Sequence, residues 1–250
     1  VCGFVDADGT LSRLAAECAA LAPGSGDAAG VAAETAAAGV RLLRWSDAES
    51  PRPRPFHRTT FRPAAGTPMQ AALALLPRVG RVALVSDASG YTPGGDFLSR
   101  GRRTAEAQLC RQTSVYASLA RARLLARKEG LRDSFGRRVH VPEDGCVLSP
   151  SVALRAGEAP AAPDACCTPS PGGATLAAVL SVALPNRNPR VDDTPLDPRC
   201  GSDYLLLIAK KFQAAIRGAI SVGAQAIVIP DCGCGVFQNS PEEVGRVLGR

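Results

Sequence analysis

The chain has 250 residues, 46% of them hydrophobic, enough apolar side chains to fill the core of one large domain or two small ones, so a globular protein is expected. Its formal charge of +6 suits an anionic partner such as a nucleotide or RNA; the basic residues gather at 52–58, 99–103 and 121–128, a pattern that solvated faces also produce. Nine cysteines, an odd number with several in apolar segments (Cys18, Cys110, Cys146), speak against a secreted disulfide scaffold, and no apolar run approaches the roughly 20 residues that a membrane-spanning helix needs.

In chain order, TLSRLAAECAALA (residues 10–22) places Leu11, Leu14, Ala15, Cys18 and Leu21 on one helical face, and PGSG ends it. VAAETAAAGVRLL (31–43) reads as a second short helix leading into an extended RLLRW, with Trp45 as a packing anchor. Residues 49–67 are too rich in Pro and Arg for regular structure and read as a surface loop. RVALVSDA (81–88) is an apolar strand, a Gly-rich turn follows it, and residues 104–128 read as one long helix. VHVPEDGCVLSPSVALR gives short extended pieces, ATLAAVLSVALPN a further apolar strand, YLLLIAKKFQAAIRGAISVG a helix, and AQAIVIPDCGCGVFQN a strand entering a second Gly-rich turn. SPEEVGRVLG opens a last helix, with Ser240 as N-cap, Pro241 at the first helical position, and Glu242 and Glu243 in the first turn. Strands alternating with helices predict an α/β architecture with a mixed or mainly parallel sheet.

Both glycine turns follow an apolar strand and precede a helix, so free backbone N–H groups are expected at the carboxyl edge of one sheet, where a pyrophosphate could sit between them. Gly94, Gly95, Gly233 and Gly235 would let a ligand approach the backbone closely; two tight turns and nothing more is the plainer alternative. A metal site is not expected: Cys232 and Cys234 are spaced C-x-C, Cys166 and Cys167 are adjacent, and only His57 and His140 could assist. No cofactor is implied.

TPGGDFLSRGRRTAEAQLCRQTSVY resembles the signature of microbial-type poly(ADP-ribose) glycohydrolases, approximately T/R-P-G-G-G-F-L, a spacer, Q-E-E and A-L-C-R-x-S-x-L-Y. VLSPSVALR, LSVALPN and CGCGVFQNSPEEV are similar, in order, to the family's Y-S-P-D-V-x-V-F-R, I-S-x-A-x-P-N and W-G-C-G-V-F-G-N-x-P-x-x-V, so the resemblance covers roughly residues 81–248. It implies a macrodomain-like three-layer α/β/α sandwich with a mixed sheet (residues 67–250), preceded by an N-terminal helical accessory segment with the Pro/Arg-rich loop (residues 1–66). It also implies ADP-ribose as ligand, with Gly94 and Gly95 along the diphosphate and distal ribose, Gly233, Cys234, Gly235 and Val236 as a second diphosphate loop, and Phe237 near the distal ribose.

Hydrolysis of a ribose–ribose bond needs a carboxylic acid for the leaving oxygen, which in this family the second Glu of Q-E-E supplies. Here the Gln falls on Ala105, the first Glu on Glu106 and the second on Ala107, which can neither donate nor accept a proton. A one-residue slip of the helix start would bring Glu106 toward the catalytic place, although neighbours on a helix point about 100° apart. Asp96 replaces the third glycine and Ser86 stands where the family has Asn, so three changes converge on one cleft.

The sequence therefore predicts a catalytically impaired domain of this family that serves as a binding or structural module, a pseudoenzyme inside a larger assembly that could retain ADP-ribose or poly(ADP-ribose) binding. Two alternatives stay open: an active ADP-ribosyl hydrolase using Glu106, and a pure ADP-ribose reader. Protein partners of an assembly are expected, with RNA a further candidate from the basic charge, and no membrane. The expected compartment is intracellular and reducing: cytoplasmic, or organellar if a targeting segment has been removed. The chain begins at Val1 without methionine and stops at Arg250, where family members continue into a last strand, so a trimmed or partial chain is expected.

Overall fold

The protein is described from a computed structural model, which covers residues 39–47, 59–98, 104–133, 135–154 and 173–249. The helix expected over residues 10–22, most of that over 31–43, most of the Pro/Arg-rich segment, and Cys18, His57, Cys166 and Cys167 lie outside these residues. The described elements are β1 (Arg41–Arg44), α1 (Pro68–Val79), β2 (Val82–Asp87), α2 (Ala105–Gln112), α3 (Val115–Lys128), β3 (Gly145–Ala153), β4 (Thr175–Val182), α4 (Gly201–Ser221), β5 (Ala226–Val228) and α5 (Pro241–Leu248).

The strands form one mixed sheet in the order β1-β3-β4-β2-β5. β1 runs antiparallel to β3 and β3 to β4, whereas β4, β2 and β5 are parallel neighbours. β2 is buried on both faces, as its unbroken VALV run requires in the parallel part of a sheet. Its side chains alternate: Val82 and Leu84 pack with Met69, Ala72, Leu109, Tyr116 and Leu119 of α1, α2 and α3, while Ala83 and Val85 pack with Tyr204, Ile208, Phe212 and Ala215 of α4. Helices thus cover both faces, giving a three-layer α/β/α sandwich. Because β2, β4 and β5 are parallel, their carboxyl ends and the turns that follow share one edge.

Two elements differ from the sequence expectation. Residues 104–128 form two helices, because Thr113 is extended (φ −141, ψ 173) and bridges Leu154, while Ser114 N–H donates to Ala153 O at 2.9 Å and Ser114 Oγ accepts from Ala153 N–H at 3.0 Å. The chain breaks there to pair with the end of β3. α1 was not foreseen; it starts at a capping box in which Thr67 Oγ1 accepts from Gln70 N–H and Gln70 Oε1 accepts from Thr67 N–H, with Pro68 at the first position.

Candidate active site

β2 ends at Asp87 and the chain turns through Ser89, Gly90 and Thr92 into the first glycine loop. Gly94 and Gly95 have φ of 73 and 57, the left-handed region that glycine enters without strain. A Cβ at Gly94 would lie 3.0 Å from Cδ2 of Tyr116, so the loop sits directly on that ring, which Phe97 also contacts at 4.8 Å between centroids. Thr104 caps α2: its hydroxyl accepts from Ala107 N–H at 3.2 Å and donates to Asp96 Oδ1 at 3.0 Å. Asp96 is thereby tied to the helix start, and Ser86 donates its hydroxyl to the Asp87 carbonyl at 3.0 Å.

Glu106, at the second position of α2, folds back beneath the loop. Its Oε1 accepts the N–H of Gly94 at 3.0 Å and its Oε2 the N–H of Ser89 at 2.8 Å, with the residue only 5% exposed. Burial pushes its carboxyl from 4.5 up to about 8; the two amides pull the other way, and the Asp193 and Asp87 carboxylates push with burial. Its neighbour Ala107 is fully buried and brings no functional group.

The second glycine loop follows β5. Gly233 has φ 68, and a Cβ there would lie 2.5 Å from Asn239 Nδ2 and 2.8 Å from Leu184 Cβ, so only glycine fits. Asn239 is the brace of this loop: its Nδ2 donates to Pro185 O at 2.9 Å and to Gly233 O at 2.8 Å, and its Oδ1 accepts the Tyr204 hydroxyl at 2.7 Å. Gly233 N–H donates to Asp87 Oδ1 at 2.8 Å, which links the loop back to the end of β2. The N–H groups of Gly235, Val236 and Phe237 have no hydrogen-bond partner among the described residues. Successive free amides in a turn are groups able to donate to an anion. Val236 is exposed beside it and Phe237 is buried, its carbonyl held by Arg187 N–H at 2.9 Å.

The two turns expected from the sequence therefore stand on adjacent parallel strands and are joined by the Asp87–Gly233 hydrogen bond. Glu106 is in contact with Gly94, while Cys234 turns its thiol toward the Cys232 carbonyl at 3.4 Å. Asp87, Ser89, Tyr204 and Asn239 escaped the sequence reading. Asn239 lies within the motif CGCGVFQNSPEEV and Asp87 at the end of a strand entering a turn, so their positions carried a signal. Among the described residues, no group of three or more His, Cys, Asp or Glu side chains is placed to hold a metal ion, and no helix is long and apolar enough to cross a membrane.

A mixed-sheet α/β/α sandwich with two glycine loops at the parallel-strand edge belongs to the open-sheet α/β class, in which ligand sites commonly lie at the carboxyl ends of the parallel strands. Comparison with known families makes this particular: the profile of the microbial-type poly(ADP-ribose) glycohydrolase (PARG) catalytic domain matches residues 10–155, more than half of the chain, and the chain belongs to that family. No curated protein matches the sequence. Among solved structures, a glutamate-to-alanine variant of the poly(ADP-ribose) glycohydrolase from Thermomonospora curvata superimposes with a TM-score of 0.67 at 24% identity, covering 96% of this chain and 86% of that one. The same enzyme bound to the inhibitor ADP-HPD gives 0.67 at 23% identity, with the same coverage. The glycohydrolase of Deinococcus radiodurans in complex with ADP-ribose gives 0.62 at 21%, covering 86% and 82%. At these identities the likeness establishes the fold: the macrodomain-like sandwich that the motifs implied is the fold observed.

Proposed function

We propose that this chain is a PARG-family domain that binds ADP-ribose without hydrolysing the polymer, and that it works as a binding or structural module. The observation that carries this reading is the state of Glu106. Both of its oxygens accept backbone N–H groups beneath the loop, and the following residue, where the family motif has its second glutamate, is the buried Ala107. A carboxyl group so held serves the loop's conformation. The free amides of Gly235, Val236 and Phe237 support retained anion binding, and Gly94 and Gly95 lie in the neighbouring glycine loop, at the end of the adjacent parallel strand. The ADP-ribose in the Deinococcus enzyme, which shares the fold, supports the choice of ligand.

A second reading has one observation in its favour: burial raises the Glu106 carboxyl to about 8, so at neutral pH it carries the proton that a general acid donates. One experiment separates the two. The purified chain and Glu106→Gln are incubated with poly(ADP-ribose), release of ADP-ribose is followed, and ADP-ribose binding is measured by calorimetry in parallel. Binding without release supports the module; release that Glu106→Gln abolishes establishes the hydrolase.

A further inference from the structure

The two loops differ in which of their amides are already engaged. In the first loop the Gly94 N–H is held by Glu106 at 3.0 Å. In the second, the Gly233 N–H is held by Asp87 Oδ1 at 2.8 Å, in the same loop as the three amides of Gly235, Val236 and Phe237 that hold nothing among the described residues. A carboxylate oxygen and a phosphate oxygen are chemically alike toward a backbone N–H: both are anionic acceptors of charge-assisted hydrogen bonds. Asp87 thus occupies an amide of this loop that an oxygen of a bound diphosphate could otherwise take, while the Cys234 amide between it and Gly235 donates to the Asp231 carbonyl at 3.1 Å.

We propose that Asp87 is a built-in competitor at the second loop, whose carboxylate takes the Gly233 amide and repels a ligand's diphosphate, and so sets the affinity of the anion site. The proposal rests on reading that loop as the ADP-ribose diphosphate site. It assigns a role to a residue that none of the family motifs includes.

The groups facing Asp87 decide when its charge is present. Asp231, Cys232 and Cys234 face it from the β5–α5 loop and Glu106 from α2, with Asp193 beside Glu106. Burial raises Asp87 from 3.8 to about 6, the Gly233 amide opposes this, and Asp231 adds to it. Cys232 is raised well above its usual value by burial and remains a neutral thiol. Across the acid side of neutrality Asp87 therefore loses its charge, whereas Glu106 changes only around pH 8. A neutral Asp87 still accepts weakly from Gly233 but no longer repels phosphate.

The test is calorimetric titration with ADP-ribose of the wild-type chain and of Asp87→Asn, from about pH 5 to about pH 7.5 at fixed ionic strength. Asp87→Asn keeps an oxygen for the Gly233 amide and removes the charge. The expected result is a Kd for the wild type that weakens about tenfold across this range, and a variant that binds about tenfold tighter than wild type at the upper end with a flat profile. Adenosine, which has no phosphate, should bind both proteins alike at every pH. Equal Kd values and one shared pH profile for the two proteins would overturn the role of Asp87 and leave the ADP-ribose reading intact. No binding by either protein at any pH would remove that reading, and the proposal with it. The wild-type profile alone decides the matter should the variant fold poorly: a flat one overturns the proposal.

Discussion

Tyr204 donates its hydroxyl to Asn239 Oδ1 at 2.7 Å, and this bond fixes which way the Asn239 amide points. With Oδ1 so held, Nδ2 must face the carbonyls of Pro185 and Gly233 and pins the second glycine loop to the end of β4. Tyr204→Phe should cost about 1–3 kcal/mol by leaving a buried acceptor unpaired. Asn239→Asp is isosteric but sets an acceptor against two carbonyls, so it should cost more than Tyr204→Phe and weaken ADP-ribose binding as well. Urea denaturation with a parallel titration checks both; an aspartate variant as stable as wild type would contradict the brace.

Glu106 should impose a pH dependence on stability. Its folded value of about 8 lies above the unfolded 4.5, so between those limits the folded state binds more protons and stability falls as pH rises. His140 acts oppositely below 6.5, because burial lowers it to about 3, and Asp87 titrates out near 6. From about pH 6.5 to about pH 8 the fall therefore belongs to Glu106. Glu106→Gln should be less stable at the acid end, where an NH2 group faces a backbone N–H, and should lose this slope. Melting temperatures of both proteins across that range are the check.

Gly94→Ala and Gly130→Ala separate backbone strain from collision. Both glycines have positive φ, 73 and 68, but a Cβ at Gly130 meets nothing within 4 Å whereas one at Gly94 meets Tyr116 Cδ2 at 3.0 Å. Gly130→Ala should cost about 1 kcal/mol, and Gly94→Ala about 2–4 kcal/mol, because the loop, its bond to Glu106 and the Tyr116 ring must all shift. Only the second should impair ADP-ribose binding. Equal destabilisation in a denaturant series would show that the loop does not rest on the ring.

The central strands β2 and β4 were legible because each carries a continuous apolar run, and α5 because Ser240 and Pro241 mark its start locally. The break at Thr113 was not, since Thr113, Ser114 and Val115 disfavour helix only weakly; its cause, pairing with Leu154, lies far along the chain. α1 was legible in principle through the Thr67 and Gln70 box. At the site, glycine spacing located both loops, but their occupancy depended on carboxylates from other elements. Asp87 reaches Gly233 across 146 residues of chain, a distance at which no motif speaks. Of the two aspartates near the loops, Asp96 gives its Oδ1 to the Thr104 hydroxyl at the start of α2, and Asp87 holds the Gly233 amide of the second loop.

Lys211 supplies the last prediction. It is 4% exposed, lines a cavity of about 50 Å³ with Val139, Val141, Leu184 and Leu207, and has no hydrogen-bond or ion-pair partner among the described residues. Burial lowers its ammonium from 10.5 to about 8, while the carboxylates of Glu143, Asp197 and Asp144 hold it partly up. A lysine whose folded value lies below the unfolded one binds fewer protons when folded, so across that window it makes stability rise with pH. Cys146, raised by burial from 9.0 to about 12, works against it from pH 9 upward, which leaves pH 8 to 9 as the range in which Lys211 shows itself. Lys211→Met keeps the apolar stem and removes the charge, and should raise stability at neutral pH by about 1–2 kcal/mol while abolishing the rise between pH 8 and 9. Denaturation of both proteins at pH 7 and about pH 9 decides it. If the methionine variant is the less stable at both, the ammonium is anchored, through water in that cavity, to Glu143 or Asp197, and the lysine is part of what holds the β4–α4 connection in place.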